Sequence, residues 1–195
     1  MELLVTIFVA YLIGNLSPSY LIGKMAKNID IREHGSGNAG ATNVLRVMGK
    51  KFAALTFVVD ALKGVMAVLV VRYLFGEDYA MVAGIFVVAG HNWPVILKFK
   101  GGKGVATSIG LILVIHPFYG FMAILIGIAF LMKTKIVSLG SLMGMISFAI
   151  LVLVFSRDYA IFATVLAAMS IYRHKENIRR LMRGEEKTIS KKKKS

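Results

Sequence analysis

The chain has 195 residues, 57% of them hydrophobic, and a mean hydropathy of +0.71, yet it carries a formal net charge of +14 and a pI near 10.1. Such hydropathy excludes an ordinary soluble domain of this size. Apolar stretches of near-spanning length exclude the nucleic-acid-binding module that the charge alone suggests. Cysteine is absent, which excludes disulfides, thiolate metal sites and a cysteine acyl-enzyme.

The opening MELLVTIFVA has no early Lys or Arg. It lacks the positive n-region of a cleavable signal and reads as a mature first span. Seven apolar runs, this one included, fall at about 3–25, 52–75, 79–97, 104–115, 117–132, 137–155 and 158–172. They predict an all-α polytopic membrane protein of about seven transmembrane helices. The fourth, fifth and seventh runs fall short of the roughly 20 residues that cross a hydrocarbon core, so charge placement decides the count. With the N-terminus outside, segments 24–51, 98–103, 133–135 and 173–195 are cytoplasmic and hold 21 of the 24 Lys and Arg residues. Only Arg72 and Arg157 fall outside, and Lys63 lies within the second run. Joining 104–132 into one kinked span would export Lys133, Lys135 and the basic tail together, against the same rule. The expected layout is an N-terminus outside, a cytoplasmic C-terminus and short or half-length helices among the spans. Residues 1–187 form a single integral membrane domain, and 188–195 a polybasic disordered tail suited to orientation or weak anchorage on anionic lipid.

Three polar, glycine-containing clusters emerge on the cytoplasmic side of this layout. The first, EHGSGNAGATNVLRVMGKK (33–51), has the composition of an anion cradle: glycines expose backbone N–H groups, and Ser36, Asn38, Thr42 and Asn43 supply short hydrogen-bonding side chains. From Ala41 the apolar positions Ala41, Val44, Leu45 and Met48 keep helical spacing opposite Thr42, Arg46 and Lys50. That predicts a short interfacial helix with its N-terminus at the glycine loop. A flexible loop leading into an amphipathic helix is the plainer alternative.

The second, GHNWPVILKFKGGKGVATS (90–108), sets Gly101, Gly102 and Gly104 around Lys103 directly before the fourth run. A glycine-lined lysine at a helix N-terminus suits phosphate. The 12 residues of 104–115 make roughly 18 Å of helix, so Lys103 is expected below the membrane surface. An orientation signal with Trp93 as interface anchor accounts for Lys98 and Lys100 but leaves the three glycines unexplained. In the third, YRHKENIRRLMRGEE (172–186), His174 and Asn177 share a face if the last helix continues past the membrane, with Arg173, Lys175, Arg179, Arg180 and Arg183 around them. This suits phosphate binding or a proton shuttle; a solvated basic helix end fits equally.

Asp60 and Lys63, one turn apart within the second run, are expected to form a buried ion pair. Asn15, Ser17, Pro18 and Ser19 interrupt the first run and mark a kink or a polar lining. His91 and Asn92 close the third run and could face the site, whereas His116 before Pro117 is a turn.

Together GSGNAGATN (35–43), GHNWPVILKFKGGKGVATS (90–108) and HKENIRRLMRGEE (174–186) resemble the three signature segments of the bacterial acyl-phosphate:glycerol-3-phosphate acyltransferase family, the PlsY type, in order, spacing and side. SLGSL (138–142) is similar to a weaker family feature near a helix start. The resemblance implies acyl transfer from acyl phosphate to the 1-hydroxyl of glycerol 3-phosphate, giving lysophosphatidic acid and phosphate at the cytoplasmic face of the bacterial inner membrane. By position it implies Ser36, Arg46, Lys103, His174 and Asn177 as catalytic residues. Gly37, Asn38, Thr42, Asn43, Gly101, Gly102, Gly104 and Arg180 would bind substrate phosphate, with His91, Asn92 and Ser141 as secondary candidates. The His-x4-Asp box of the other large glycerolipid acyltransferase class is absent, since none of His34, His91, His116 and His174 has Asp five residues on.

The chemistry is consistent. Two phosphate-bearing substrates bring about four negative charges at neutral pH, which Lys103, Arg46 and Arg180 can offset. A mixed anhydride is already activated, so positioning and charge stabilisation carry the reaction, with phosphate oxygens taking the hydroxyl proton and His174 as the competing base. No Asp/Glu cluster marks the expected site, so neither metal nor cofactor is expected. The expected partners are the two substrates and membrane lipid, not nucleic acid. An anion or phosphate-ester transporter is the alternative, weakened because the outside loops near Arg72 and Arg157 offer no matching site.

Overall fold

The computed structural model describes residues 1–189, so most of the expected tail, 190–195, lies outside the described residues. Among the described residues there are helices, turns and loops but no strand. They form two compact units, Met1–Pro117 and the residues from Phe118 onward, and each is described by itself.

In the first unit the leading apolar run is broken. Helix α1 (Glu2–Asn15) stops, and α2 (Pro18–Lys27) restarts at a proline that has no N–H to donate and a φ preset for a first turn. The interruption at Asn15, Ser17 and Pro18 is therefore a helix break. The expected amphipathic helix is α3 (Ala41–Met48), whose Val44 and Met48 are buried with Ile31 and Ala53. Gly49, at φ 91°, turns the chain into α4 (Lys50–Phe75). Helix α5 (Glu77–Asn92) is followed by a 3-10 turn, Val95–Leu97, the glycine loop, and α6 (Val105–Ile115). With 11 residues, α6 is roughly 16 Å long.

Helix α1 packs on α5, and α4 on both α5 and α6. The α1–α5 crossing depends on having no side chains there. A Cβ at Gly90 would strike the Tyr11 carbonyl oxygen and lie 3.0 Å from the Gly14 Cα. In hydrocarbon, small residues that bring backbones together replace the hydrophobic drive available in water.

The second unit holds α7 (Pro117–Thr134), α8 (Val137–Phe155), α9 (Ala160–Arg173) and α10 (Lys175–Met182). Helix α8 packs on α9, with Phe148 edge-on to Phe162 at a centroid distance of 6.4 Å. Helices α7 and α8 approach at Gly127 and Gly140, where a Cβ on the former would lie 2.9 Å from the latter's carbonyl oxygen. The last long helix ends at Arg173 and the chain restarts after a turn at His174.

Leu4, Phe118 and Ile161 are 72%, 67% and 81% exposed, an arrangement that suits lipid as the surrounding solvent. Among the described residues, five helical stretches are long and apolar enough to cross a membrane: Glu2–Lys27, Lys50–Phe75, Glu77–Leu97, Pro117–Thr134 and Val137–Phe155, with Val105–Ile115 a shorter apolar helix.

Gly90→Leu is expected to drive α1 from α5 and to lower the thermal unfolding midpoint in detergent, since overpacking costs about 1–3 kcal/mol and backbone is the obstacle here. Leu4→Ala, on the exposed face, leaves the midpoint within about a degree, as surface substitutions do. Circular dichroism of both variants checks the pair.

Candidate active site

The first loop is shaped from within. Asp30 accepts hydrogen bonds from the Arg32 backbone N–H and guanidinium at 2.6–3.2 Å, and these hold its carboxyl below the usual carboxylate range. The same guanidinium donates to the Leu97 carbonyl at 2.9 Å, tying this loop to the turn before the glycine loop. Asn43, buried on α3, is the clip: its Nδ2 donates to the carbonyls of Ile31 and His34, each at 2.9 Å, and its Oδ1 accepts from the Ser36 N–H at 2.8 Å. Gly35 and Gly37 have φ of 65° and 71°, so the loop turns where a side chain would be strained. Ser36 and Arg46 are exposed, with Asn38 and Thr42 half-buried beside them.

The glycine loop is pressed onto backbone. A Cβ at Gly101 would strike the His91 carbonyl oxygen and the Pro94 ring. One at Gly102 would strike His91 Nε2 and lie 2.8 Å from the Ala39 carbonyl oxygen. The Gly102 N–H donates to the His91 carbonyl at 3.0 Å. Gly104, at φ 75°, caps α6, and a Cβ there would sit 2.9 Å from Asn92 Oδ1. The first and second sequence clusters therefore adjoin through Ala39 and Gly102, with half-buried Lys103 between Gly102 and Gly104. Asn92 is fully buried, and neither atom of its amide has a hydrogen-bond partner among the described residues. Uncompensated buried amides are rare, because each costs about 1–3 kcal/mol. This one lies against the loop.

In the second unit His174 is 2% exposed, and its Nδ1 lies 2.8 Å from the Ser170 carbonyl. A carbonyl only accepts, so Nδ1 carries the proton and, in the neutral ring, Nε2 carries the lone pair. Asn177 and Arg180 converge on Glu186, a residue absent from the sequence-derived site. Its carboxylate accepts from Asn177 Nδ2 at 2.5 Å, Ser138 Oγ at 2.8 Å and Arg180 Nε at 2.6 Å. Ser138, rather than Ser141, is the serine of the SLGSL segment that joins this cluster; the Ser141 hydroxyl donates to its own helix at the Val137 carbonyl. Two acidic residues ending a strongly basic segment were the available signal for Glu186.

Burial alone would raise the Glu186 carboxyl, but the bonds from Asn177, Arg180 and Ser138 outweigh it and hold it below its ordinary value. A depressed native value means that this contribution is complete above the ordinary carboxylate range and is lost as pH falls through the native value. The segment after α10 is thus expected to stay docked at neutral pH and to gain hydrogen exchange in acid. At neutral pH, Glu186→Ala speeds trypsin cleavage after Arg183 and Lys187 by about tenfold or more, the worth of one charge-assisted hydrogen bond.

Comparison with known proteins gives the family. Residues 4–184 match the family model for glycerol-3-phosphate acyltransferase. A glycerol-3-phosphate acyltransferase of Thermoanaerobacter sp. (strain X514) is 50% identical over 194 residues, 98% of each chain. One from Clostridioides difficile (strain 630) is 48% identical over 192 residues, 95% of this chain and 94% of that one. Among solved structures, PlsY (YgiH), an integral membrane glycerol 3-phosphate acyltransferase in its glycerol 3-phosphate form, superposes with a TM-score of 0.91 at 36% identity, covering 97% of this chain and 96% of that one. Its lysophosphatidic acid form gives 0.89 over the same shares. The protein is a multi-pass, all-helical membrane protein, and it belongs to the glycerol-3-phosphate acyltransferase family.

Proposed function

We propose that the protein transfers the acyl group of an acyl phosphate to the 1-hydroxyl of glycerol 3-phosphate, releasing inorganic phosphate and lysophosphatidic acid. The observation that carries this reading is the glycine loop: Lys103 is held between glycines seated on backbone, beside the buried amide of Asn92 and ahead of the α6 N-terminus. Backbone N–H groups, a helix N-terminus and an ammonium make a cradle for a phosphate dianion. The names of the relatives and the two solved forms of PlsY support the acceptor and the product. The donor rests on the sequence resemblance and on the basic residues available for a second phosphate.

In the proposed reaction the 1-hydroxyl oxygen attacks the acyl carbonyl, and the bond from that carbon to the bridging oxygen breaks. Phosphate leaves with the electron pair and takes the hydroxyl proton. Arg46 and Lys103 offset phosphate charge; Ser36 and Asn177 hydrogen-bond the substrates; Gly37, Asn38, Thr42 and the loop glycines contribute short polar groups and N–H donors. Asn43 acts one step removed, because its amide already shapes the loop that presents Ser36. Arg180 likewise shares its charge with Glu186. A second reading makes His174 the base, favoured by the Nδ1 contact to Ser170 that leaves Nε2 as acceptor.

Purified protein given palmitoyl phosphate and glycerol 3-phosphate is expected to release phosphate and lysophosphatidic acid in equal amounts, with turnover falling by on the order of 10²–10³ in Lys103→Ala. Absence of product across several chain lengths, and with thioester donors, overturns the reading. If His174→Gln leaves substrate binding intact, a loss of about tenfold or less supports proton transfer to phosphate, whereas a loss of 10²–10⁴ assigns the base to His174.

The proposed topology has seven crossings, by the α1–α2 pair and by α4 to α9, with the N-terminus outside and the chemistry at the cytoplasmic face, as the distribution of Lys and Arg supports. The absence of cysteine makes labelling simple. Asp78→Cys is expected to react with an impermeant maleimide on intact cells, and Lys187→Cys only after permeabilisation; the reverse pattern inverts the topology.

A further inference from the structure

One buried cluster has no role in the proposed chemistry. Asp60, Lys63 and His91, on α4 and α5, are 1%, 7% and 5% exposed. Lys63 Nζ lies 2.7 Å from Asp60 Oδ1, 2.7 Å from the Leu16 carbonyl, 3.3 Å from the Gly14 carbonyl and 2.7 Å from His91 Nδ1. His91 Nδ1 is itself 3.1 Å from Asp60 Oδ1. Burying charge in an apolar interior is costly and is retained where it fixes something.

Proton counting says what is fixed. An ammonium has three N–H groups and no lone pair. Four groups surround it: Asp60 Oδ1, the Leu16 carbonyl and His91 Nδ1, each at 2.7 Å, and the Gly14 carbonyl at 3.3 Å, the two carbonyls bared where α1 breaks before α2. Asp60 is the counter-ion, closer to Lys63 than to His91. A neutral amine would serve only the two carbonyls and would leave the Asp60 carboxylate without its nearest cation. With Lys63 charged, His91 Nδ1 must accept, and the single ring proton sits on Nε2. That nitrogen abuts Gly102, whose N–H is bonded to the His91 carbonyl.

We propose that the Asp60–Lys63 pair holds His91 as its neutral Nε2–H tautomer and so presents a hydrogen-bond donor within the glycine loop where substrate phosphate binds. Asp60 and Lys63 are positioning residues that act through His91, and His91 supplies a loop donor for the phosphate of glycerol 3-phosphate. This rests on the proposed role of the 101–104 loop, so the tautomer and its consequence are tested separately.

Nitrogen-15 NMR of the full-length protein in detergent, labelled at histidine and assigned with single Gln variants of the four histidines, reads the ring directly. The expected His91 signals are an unprotonated Nδ1 and a protonated Nε2. An imidazolium, or the opposite tautomer, overturns the proposal without bearing on whether the protein is an acyltransferase. Kinetics tests the consequence. Lys63→Met is expected to raise KM for glycerol 3-phosphate by about tenfold while kcat stays within about threefold, the signature of lost ground-state binding. His91→Asn, whose amide nitrogen reproduces only the Nδ1 position, is expected to lose more than His91→Gln, which places an N–H near Nε2. Equal losses in the two His91 variants, or a Lys63→Met effect confined to kcat, overturn the assignment. If Lys63→Met does not fold, the His91 pair and the wild-type spectrum still decide it.

Discussion

Much of the first unit depends on one ammonium. Lys63 donates to the carbonyls bared where α1 breaks, holds the only carboxylate of α4, and contacts the histidine from which the glycine loop hangs. Three helices and the loop thereby share one buried electrostatic knot. Removing one partner of such a buried pair leaves a charge uncompensated, at a cost of about 3–5 kcal/mol. That asymmetry explains how an intramembrane charge can be structural and still matter to chemistry some residues away.

The groups proposed to meet substrate are held by neighbours that do not meet it. Asn43 spends its whole amide on the backbone of 31–36 and so sets where Ser36 stands, while Glu186, in the segment beyond α10, gathers Ser138 from α8 and Asn177 and Arg180 from α10. Anion-binding groups are useful only when preorganised, because reorganisation during the reaction subtracts from charge stabilisation. Glycine does the complementary work: at 101, 102 and 104 the missing side chain is the space that the His91 carbonyl and imidazole and the Asn92 amide occupy.

Much of this was legible in the sequence. Apolar period and length gave the long helices within a few residues, and the amphipathic spacing from Ala41 gave α3. The Asp60–Lys63 pair was readable because i,i+3 charges inside an apolar run have few alternatives. What was not legible involves contacts distant in sequence or the direction a side chain takes. Nothing local told that His91 joins that pair from another helix, that Asn43 turns inward to its loop, or that Ser138 instead of Ser141 reaches Glu186. A shared face for His174 and Asn177 was conditional on the last apolar helix continuing past the membrane. The chain turns at His174, and His174 Nδ1 bonds back to the Ser170 carbonyl.

The central claim is that the chain moves an acyl group, not a phosphoryl group, out of an acyl phosphate. The most direct measurement uses palmitoyl phosphate carrying oxygen-18 at the oxygen that bridges carbon and phosphorus, with glycerol 3-phosphate and purified protein, followed by mass spectrometry of every product. Attack at the carbonyl predicts that all of the heavy oxygen leaves in inorganic phosphate and that the lysophosphatidic acid carries none from the bridge. Heavy oxygen retained in free palmitate, with phosphate moved to glycerol 3-phosphate or to water, would contradict the account.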